Sequence, residues 1–585
     1  MQQTRQGVTV ASPRRYRNIA LALSATFIIA QAWICADPLA GTHDSSSSFL
    51  GFRHLPTDHF AYMMYSTQTA RDGSLLTKNL FTTARQDGRF LMVGLVIAGA
   101  VRGITGLPDP VVWHGLRLLV LAAFCLVLWK LVQAVFKEGR KAVAAHAFVL
   151  FAGGLDWLVR PFFRDRMAST GLDWVNFIDN PWNFSVFWAS TNLVWAIPMT
   201  LITLMILLEI RWLEQAAVKN ADRSAELARI RAQTGDHRVG SMDTVSKPAD
   251  FLPGVVRGMV FAALWFIHPY SAIVWGLLVA VAVVVPPIGT SLKRSLFINL
   301  PALAGPALVA VFITWSQQDP VVAASNAQTG LWKLGYPPII YPIVYGPWML
   351  LPLGLVMRRN TIDRHVMRWL LLWFVTGFAM MANPFVTGVK FQFSFLVPFL
   401  ILQIAGLFAL VQRRQAAGGR TSWPGGAIAA FVVLASLNSA AGLVLDVNPP
   451  ATRAAARAGK DHLALLKELE TLPDGGVLCD PFDAQIVPWK AGKPVFVGQW
   501  FLSTRYQEKA ALVRWFYSDE PDEARTAGFL NNAGIRWILY GPREMQLGKM
   551  PRADGLRLVR QIAGRQIWEW APAGGEWPSI LQQSK

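Results

Sequence analysis

Charged side chains are scarce in this 585-residue chain: 16% Asp, Glu, Lys and Arg, against roughly 25% in an ordinary globular protein. So few charges cannot cover the surface of the several soluble domains that the length would otherwise imply. Cysteine is nearly absent, and Cys35, Cys125 and Cys479 are too few and too scattered for a disulfide framework or a zinc site. No HxxxH, CxxC or Asp-rich pair gives metal-ligand spacing, so nothing in the sequence requires a metal, although nothing excludes a divalent one. What is plentiful is apolar surface: 53% hydrophobic residues, with 24 Trp and 34 Phe, and a mean hydropathy of +0.34. These proportions describe a polytopic membrane protein.

A span needs about 20 apolar residues to cross the hydrocarbon core. The first candidate, 18–36, follows an acid-free segment with Arg5, Arg14, Arg15 and Arg17, and basic flanks stay in the cytoplasm. Its Ala-x-Ala-like cleavage signal is poor and later spans need a first anchor, so it reads as a span, not a removed leader. Ten more candidates follow at 114–136, 142–160, 188–211, 253–268, 270–288, 295–315, 337–357, 368–383, 393–412 and 425–445. Basic turns separate them, at Lys137, Arg140 and Lys141, at Lys293 and Arg294, at Arg358, Arg359, Arg364 and Arg368, and at Arg413, Arg414 and Arg420. The polar segment 213–252, helical near 216–233, belongs on the same inner side. Residues 90–107 (FLMVGLVIAGAVRGITGL) are apolar, yet a crossing there would put the turn at 137–141 outside. They are short, hold Arg102 and four glycines, and read as an interfacial segment whose arginine reaches headgroups.

The expected architecture is mainly α: a polytopic transmembrane helical bundle of about eleven spans over 1–446, with a long first external loop at 37–113. Residues 447–585 have a different texture. A helical period at 453–472, short strands at 476–479 and 494–497, helices at 503–517 and 521–533 and a strand at 536–540 predict a small α/β domain. An odd number of spans places that domain in the periplasm.

Functional-looking residues gather on the outside. The first loop holds Pro56-Thr57-Asp58-His59-Phe60-Ala61-Tyr62. A carboxylate near an apolar surface has a raised pKa unless it is paired or hydrogen-bonded, which suits a general base. His59 or His54 would share such a site; the plainer reading is a solvated loop acid. The loop 161–187 adds Asp165, Asp173 and Asp179, with Asp156 just inside the preceding span. Its Trp157, Trp174 and Trp182 suit sugar stacking, but equally an interfacial aromatic belt. His268-Pro269-Tyr270 turns the chain between two apolar runs, where the histidine binds an anion or metal or simply caps a helix. Lys390, on the non-basic side, either snorkels or attracts an anion.

The order of these features resembles the GT-C superfamily of membrane glycosyltransferases, which includes protein mannosyltransferases, oligosaccharyltransferases and the lipid A aminoarabinose transferase. The texture is most similar to bacterial members with an external α/β tail. Asp58 matches the first-loop acid of that family, followed by Tyr62 in a D-x-x-x-Y pattern. Residues 90–107 resemble its interfacial helix, Arg117 in His114-Gly115-Leu116-Arg117 the start of its second span, and Gly388-Val389-Lys390 its Gly-Lys segment. For the second acid, Asp156, Asp165, Asp173 and Asp179 all qualify; Asp179, close before a span, is favoured, then Asp156.

The resemblance implies inverting transfer of a sugar from a polyprenyl-phosphate donor to a glycan, lipid or protein acceptor, at the periplasmic face of a bacterial inner membrane. Asp58 would be the base, with Asp179 or Asp156 as the second acid. His59, Tyr62, Arg117, His268, Tyr270 and Lys390 would bind substrate, and no cofactor would be required. The alternative is a non-catalytic transporter of a lipid-linked glycan or envelope polysaccharide. Transporters, however, place polar residues at the midplane on broken helices or repeats, whereas here they cluster in external loops. The net charge of +19 first hints at nucleic acid, but most of the excess falls in the inner segments, which hold 22 basic against 8 acidic residues. Residues 447–585 carry 18 basic against 15 acidic side chains, so the excess reflects orientation in the bilayer, and no nucleic-acid partner is expected.

Overall fold

A computed structural model describes residues 13–36, 46–53, 55–154, 185–234, 251–286, 290–330, 346–355, 362–382, 390–391, 394–417, 424–444, 455–518 and 520–572. Along the chain, α1 (Pro13–Trp33) precedes the short strand β1 (Ser47–Phe49), then α2 (Pro56–Asp72), α3 (Val93–Thr105), α4 (Asp109–Val135) and α5 (Gly139–Phe151). Next come α6 (Val186–Ala189), α7 (Leu193–Thr234), α8 (Leu252–Ile267), α9 (Pro269–Val284), α10 (Leu292–Asn299), α11 (Ala304–Ser316) and α12 (Pro320–Gly330). They are followed by α13 (Arg364–Met381), α14 (Leu396–Ala416) and α15 (Pro424–Val444). The remainder is mixed: β2 (Arg457–Gly459), α16 (Lys460–Thr471), β3 (Gly476–Leu478), α17 (Val487–Lys490), α18 (Tyr506–Tyr517) and α19 (Glu523–Asn532). It ends with β4 (Ile535–Tyr540), α20 (Pro542–Leu547), β5 (Leu556–Ile562) and β6 (Arg565–Trp570).

Among the described residues, four helical stretches are long and apolar enough to cross a membrane: Asp109–Val135, Leu193–Gln215, Leu292–Ser316 and Leu396–Ala416. The chain forms two compact units. One comprises Met1–Trp33, Arg117–Val309 and Leu334–Val447; the other comprises Ile34–Leu116, Ala310–Lys333 and Asn448–Lys585.

The first unit is held by close helix contacts of the kind small residues permit in apolar surroundings. A Cβ on Gly305 would stand 2.0 Å from the carbonyl oxygen of Gly258, so α11 and α8 meet backbone to backbone. Phe27 of α1 packs edge-on against Phe151 and Phe187, with ring centroids 5.8 and 5.7 Å away. The run expected as one span at 295–315 is interrupted by a 3-10 turn, Leu300–Leu303, where Pro301 supplies no N–H. The helical stretch near 216–233 does not start afresh; it continues α7 without a break.

The second unit joins distant parts of the sequence. β1 pairs antiparallel with β2, Ser48 opposite Ala458. A four-stranded sheet has the order β3-β4-β6-β5, with β3 parallel to β4 and the other neighbours antiparallel. Leu478, Val513, Phe516, Tyr517, Leu530 and Ile538 pack its core. Loop residues 79–83 are woven into this core region. Asn79 Nδ2 donates to Leu502 O (2.9 Å), Thr83 Oγ1 to Ala533 O (2.6 Å), and the Val495 N–H to Leu80 O (2.8 Å). The segment expected as a strand at 494–497 forms only a one-residue bridge, Val495 to Val477, with the other side of Val495 turned to the loop.

The helix expected from 453 begins only at Lys460, because 457–459 serves β2. The β5–β6 hairpin adds two strands beyond the expected elements. Its two turn residues, Ala563 and Gly564, both have positive φ, as the tight hairpin turn requires.

Candidate active site

The start of α2 places Asp58. Leu55 stands before Pro56 at φ 45°, ψ 53°, a left-handed conformation that costs a non-glycine residue about 1–3 kcal/mol. Pro56 then opens the helix, where a missing N–H costs nothing. Asp58 falls in the first turn, half-buried, where the exposed N–H groups of the helix favour a negative charge.

The next turn is locked by aromatic packing. His59, 1% exposed, donates from Nδ1 to Leu55 O (2.9 Å). Phe52 stacks on its ring at 4.7 Å and Trp113 meets it edge-on at 5.6 Å. Tyr62, half-buried, lies flat against Trp113 at 5.6 Å. His59 is therefore a positioning group for the Asp58 turn, and Tyr62 continues the same wall.

α3 clamps α2 from one side. A Cβ at Gly99 would stand 2.4 Å from Ser66 O, and Arg102 donates to Thr67 Oγ1 (2.8 Å) and pairs with Asp109 (3.0 Å). The arginine expected to reach headgroups is thus tied to α2 and to the first turn of α4. Asp109 also accepts from Trp489 Nε1 (2.8 Å), whose ring stacks on Phe60. Lys490 sits 3.6 Å over the Trp489 ring, and burial pushes its ammonium down to about 8.

The first unit gathers three other expected residues. His268 ends α8, 6% exposed, with Nδ1 2.8 Å from Ser271 Oγ, which is 2.9 Å from Ser394 Oγ. Tyr270 lies 5.5 Å from the His268 ring, and Lys390 Nζ sits 5.2 Å from the Tyr270 ring centroid. His268, Tyr270 and Lys390 therefore form one cluster, its cation steadied on an aromatic face.

Arg117 is fully buried. It donates to Gln31 Oε1 (2.7 Å), Gln31 O (2.8 Å) and Ser190 O (2.9 Å), joining α1, α4 and the end of α6. Its observed role is to tie these elements together.

Asp156 and Asp179, with Asp165, Asp173 and His54, lie outside the described residues. No group of three or more His, Cys, Asp or Glu side chains placed to hold a metal occurs among the described residues. Sequence reasoning misses Phe52, Trp113, Asp109 and Trp489 around α2. The Asp109-Pro110 opening of α4 is a local signal for a helix start, whereas the Trp489 contact has none, lying 380 residues away in sequence.

No protein-family model matches the sequence, and no curated protein matches it. Solved structures do. A mutant form of the arabinofuranosyltransferase AftD from Mycobacteria matches with TM-score 0.50 and 13% identity, over 96% of this chain and 42% of that one. This chain thus spans about two-fifths of its length. ArnT from Cupriavidus metallidurans matches at TM-score 0.48 and 11% identity, over 95% and 97%. The oligosaccharyltransferase AglB from Archaeoglobus fulgidus, in complex with an inhibitory peptide and a dolichol-phosphate, matches at 0.46 and 10%, over 90% and 70%. All three are GT-C glycosyltransferases. At these identities the likeness is one of fold, and the AftD match carries it.

Proposed function

We propose that the chain is a GT-C-type glycosyltransferase that moves a sugar from a polyprenyl-phosphate donor to an acceptor at the periplasmic face of a bacterial inner membrane. A shared fold does not by itself fix a reaction. The observation that carries the reading is Asp58: a half-buried carboxylate at the positive end of α2, after a strained Leu55 and ahead of an aromatic wall. Strain and pre-organisation of this sort belong to sites more than to solvated loops.

In the proposed step Asp58 accepts the proton of an acceptor hydroxyl. The hydroxyl oxygen attacks the anomeric carbon from the face opposite the phosphate. The bond from that carbon to the phosphate oxygen breaks, and the electron pair leaves with the prenyl phosphate, inverting the configuration. Lys390 would take the phosphate charge. Tyr270 holds the ammonium in place, and His268 fixes the Ser271–Ser394 contact close to it in sequence. Asp179, or else Asp156, is the proposed second acid. The proposal uses no metal.

Asp58→Asn keeps the shape of the helix start while removing the base. Transfer in a defined donor–acceptor assay is expected to fall by about 10²–10⁴-fold, with the protein still accumulating in the membrane. Full activity in that variant would overturn the assignment. Lys390→Ala is expected to raise KM for the prenyl-phosphate sugar, and an unchanged KM removes Lys390 from the donor site.

A further inference from the structure

The first unit carries a charged groove at one end of two apolar helices. It has a volume of about 420 Å³, and its lining includes Lys130 and Gln133 of α4, Lys137 just past that helix, and Arg211, Glu214 and Gln215 of α7. Three cationic side chains meet one carboxylate there, a surplus of two positive charges. All four are exposed, and among the described residues no ion pair or hydrogen bond engages them. Glu138, the acid next to Lys137 in sequence, faces Lys141 instead (2.6 Å).

The helices set the depth of this groove in a bilayer. α4 and the apolar part of α7, Leu193–Gln215, are both long and apolar enough to cross a membrane. With 27 residues α4 is about 40 Å long, against about 30 Å of hydrocarbon, so its end reaches the headgroup layer. Between Arg117 and Lys130 it has no charged residue, and Lys130 marks where it leaves the hydrocarbon. On α7 the first exposed charge is Arg211.

The exposed face of α4 runs into the groove. Leu119 and Leu126 are 69% and 57% exposed. Ala123, Lys130 and Gln133 are exposed at the same three- and four-residue spacing, which puts all five on one face. That face is apolar as far as Leu126 and polar from Lys130 onwards. On α7 the half-buried Leu201, Leu204 and Leu208 lead to exposed Arg211 in the same way. A ligand that matches the whole surface has a long apolar part and an anionic end.

We propose that this groove holds the headgroup of an anionic glycerophospholipid, with Lys130, Lys137 and Arg211 on its phosphate and an acyl chain along Leu126 and Leu119. The arginine fork fits two phosphate oxygens, and the lysines add point charges. Glu214 accepts from a hydroxyl of the headgroup. A soluble phosphate would use only the basic end of the surface, whereas a lipid uses both ends. The proposal draws on no residue assigned to the transfer reaction; Arg117, on the same helix, stands about 20 Å from Lys130 along the axis.

Native mass spectrometry of the full chain, released from detergent micelles, tests it. The probes are dioleoyl phosphatidylglycerol and dioleoyl phosphatidylcholine, whose chains are identical, so tighter binding of the first reads the headgroup. A basic residue near an anionic lipid is worth about a fivefold change in affinity. Lys130→Gln with Arg211→Gln is therefore expected to weaken phosphatidylglycerol about 30-fold and to leave phosphatidylcholine unchanged. Lys130→Arg with Arg211→Lys keeps both charges and should retain most of the affinity, which separates lost charge from misfolding. Lys293→Gln with Arg364→Gln removes the same charge from basic turns outside the groove and should leave the tight binding in place. Equal losses in the two neutralised pairs would mean attraction to basic surface in general, and would overturn the proposal. Equal affinity for the two lipids would do so too, as would displacement of phosphatidylglycerol by inorganic phosphate, which would make the ligand a soluble anion.

Discussion

Glu209 in the first unit and Glu569 in the second are both buried carboxylates, 1% and 4% exposed. They keep very different company. Glu209 grips one arginine with both oxygens: Arg257 Nε to Oε1 at 2.6 Å and Nη2 to Oε2 at 2.5 Å. Asn299 takes the remaining nitrogen of that guanidinium. Glu569 holds two arginines, Arg536 at 3.0 Å and Arg557, whose side chain is 71% exposed. Asp483 repeats the second pattern with Arg543 and Arg565.

The difference follows from the surroundings. Among apolar helices a charge has little water to relax into, and Glu209 is cancelled by the one arginine beside it. In the mixed α/β region the arginines reach solvent, and one acid can organise several of them.

Glu209→Gln tests this contrast with the largest expected effect, because it leaves Arg257 buried without its counter-ion. A loss of about 3–5 kcal/mol is expected, read from thermal or denaturant unfolding of the purified protein. A loss below about 1 kcal/mol would mean that Asn299 and water satisfy Arg257, and the contrast would fail. Glu569→Gln is expected to cost less, about 1–2 kcal/mol, since Arg557 can turn to water and only Arg536 is left in a partly buried place. A larger loss than in Glu209→Gln would reverse the ranking of the two units.

The smallest effect is a pH dependence. Burial, with Asp483 and Asp480 nearby, raises Glu544 from 4.5 to about 7. An acid whose folded pKa is raised contributes stability that is present below its unfolded pKa and lost as pH rises through the folded one. The window therefore runs from about pH 4.5 to about pH 7. Buried His462, pushed down from 6.5 to about 4, has the opposite slope in part of that window, so the informative quantity is a difference. The unfolding temperature of Glu544→Gln minus that of the natural chain should increase from pH 5 to pH 8. A constant difference would show that Glu544 stays charged throughout.

Much of the helical frame is legible in the order of residues. The apolar run at 253–268 forms α8, and His268-Pro269 marks its end, because proline has no N–H with which to continue a helix. Residues 90–107 are too short and too rich in glycine to span, and α3 has 13 residues. What cannot be read is partnership. Nothing near Ser47 announces that it will lie opposite Gly459. Nothing near Arg102 announces Asp109 and Thr67 in place of headgroups. Of the site, Asp58 and Tyr62 share a motif that picks them out, and His268 with Tyr270 share a turn. That Lys390 joins those two, 120 residues on, is a fact of folding.

By itself, then, the sequence determined the elements that depend on neighbours along the chain: apolar helices, their proline and glycine ends, and the carboxylate at the start of α2. Those features answer to local backbone chemistry and to hydrophobic content summed over a window. Tertiary structure alone decided that the long loop after α1 and the last 140 or so residues fold as parts of one compact unit. It also decided that His59 is packed inside an aromatic cage and that three arginines share one cavity with Asp483. Such pairings depend on contacts between segments up to several hundred residues apart, whose free energy exists only once the chain has closed on itself.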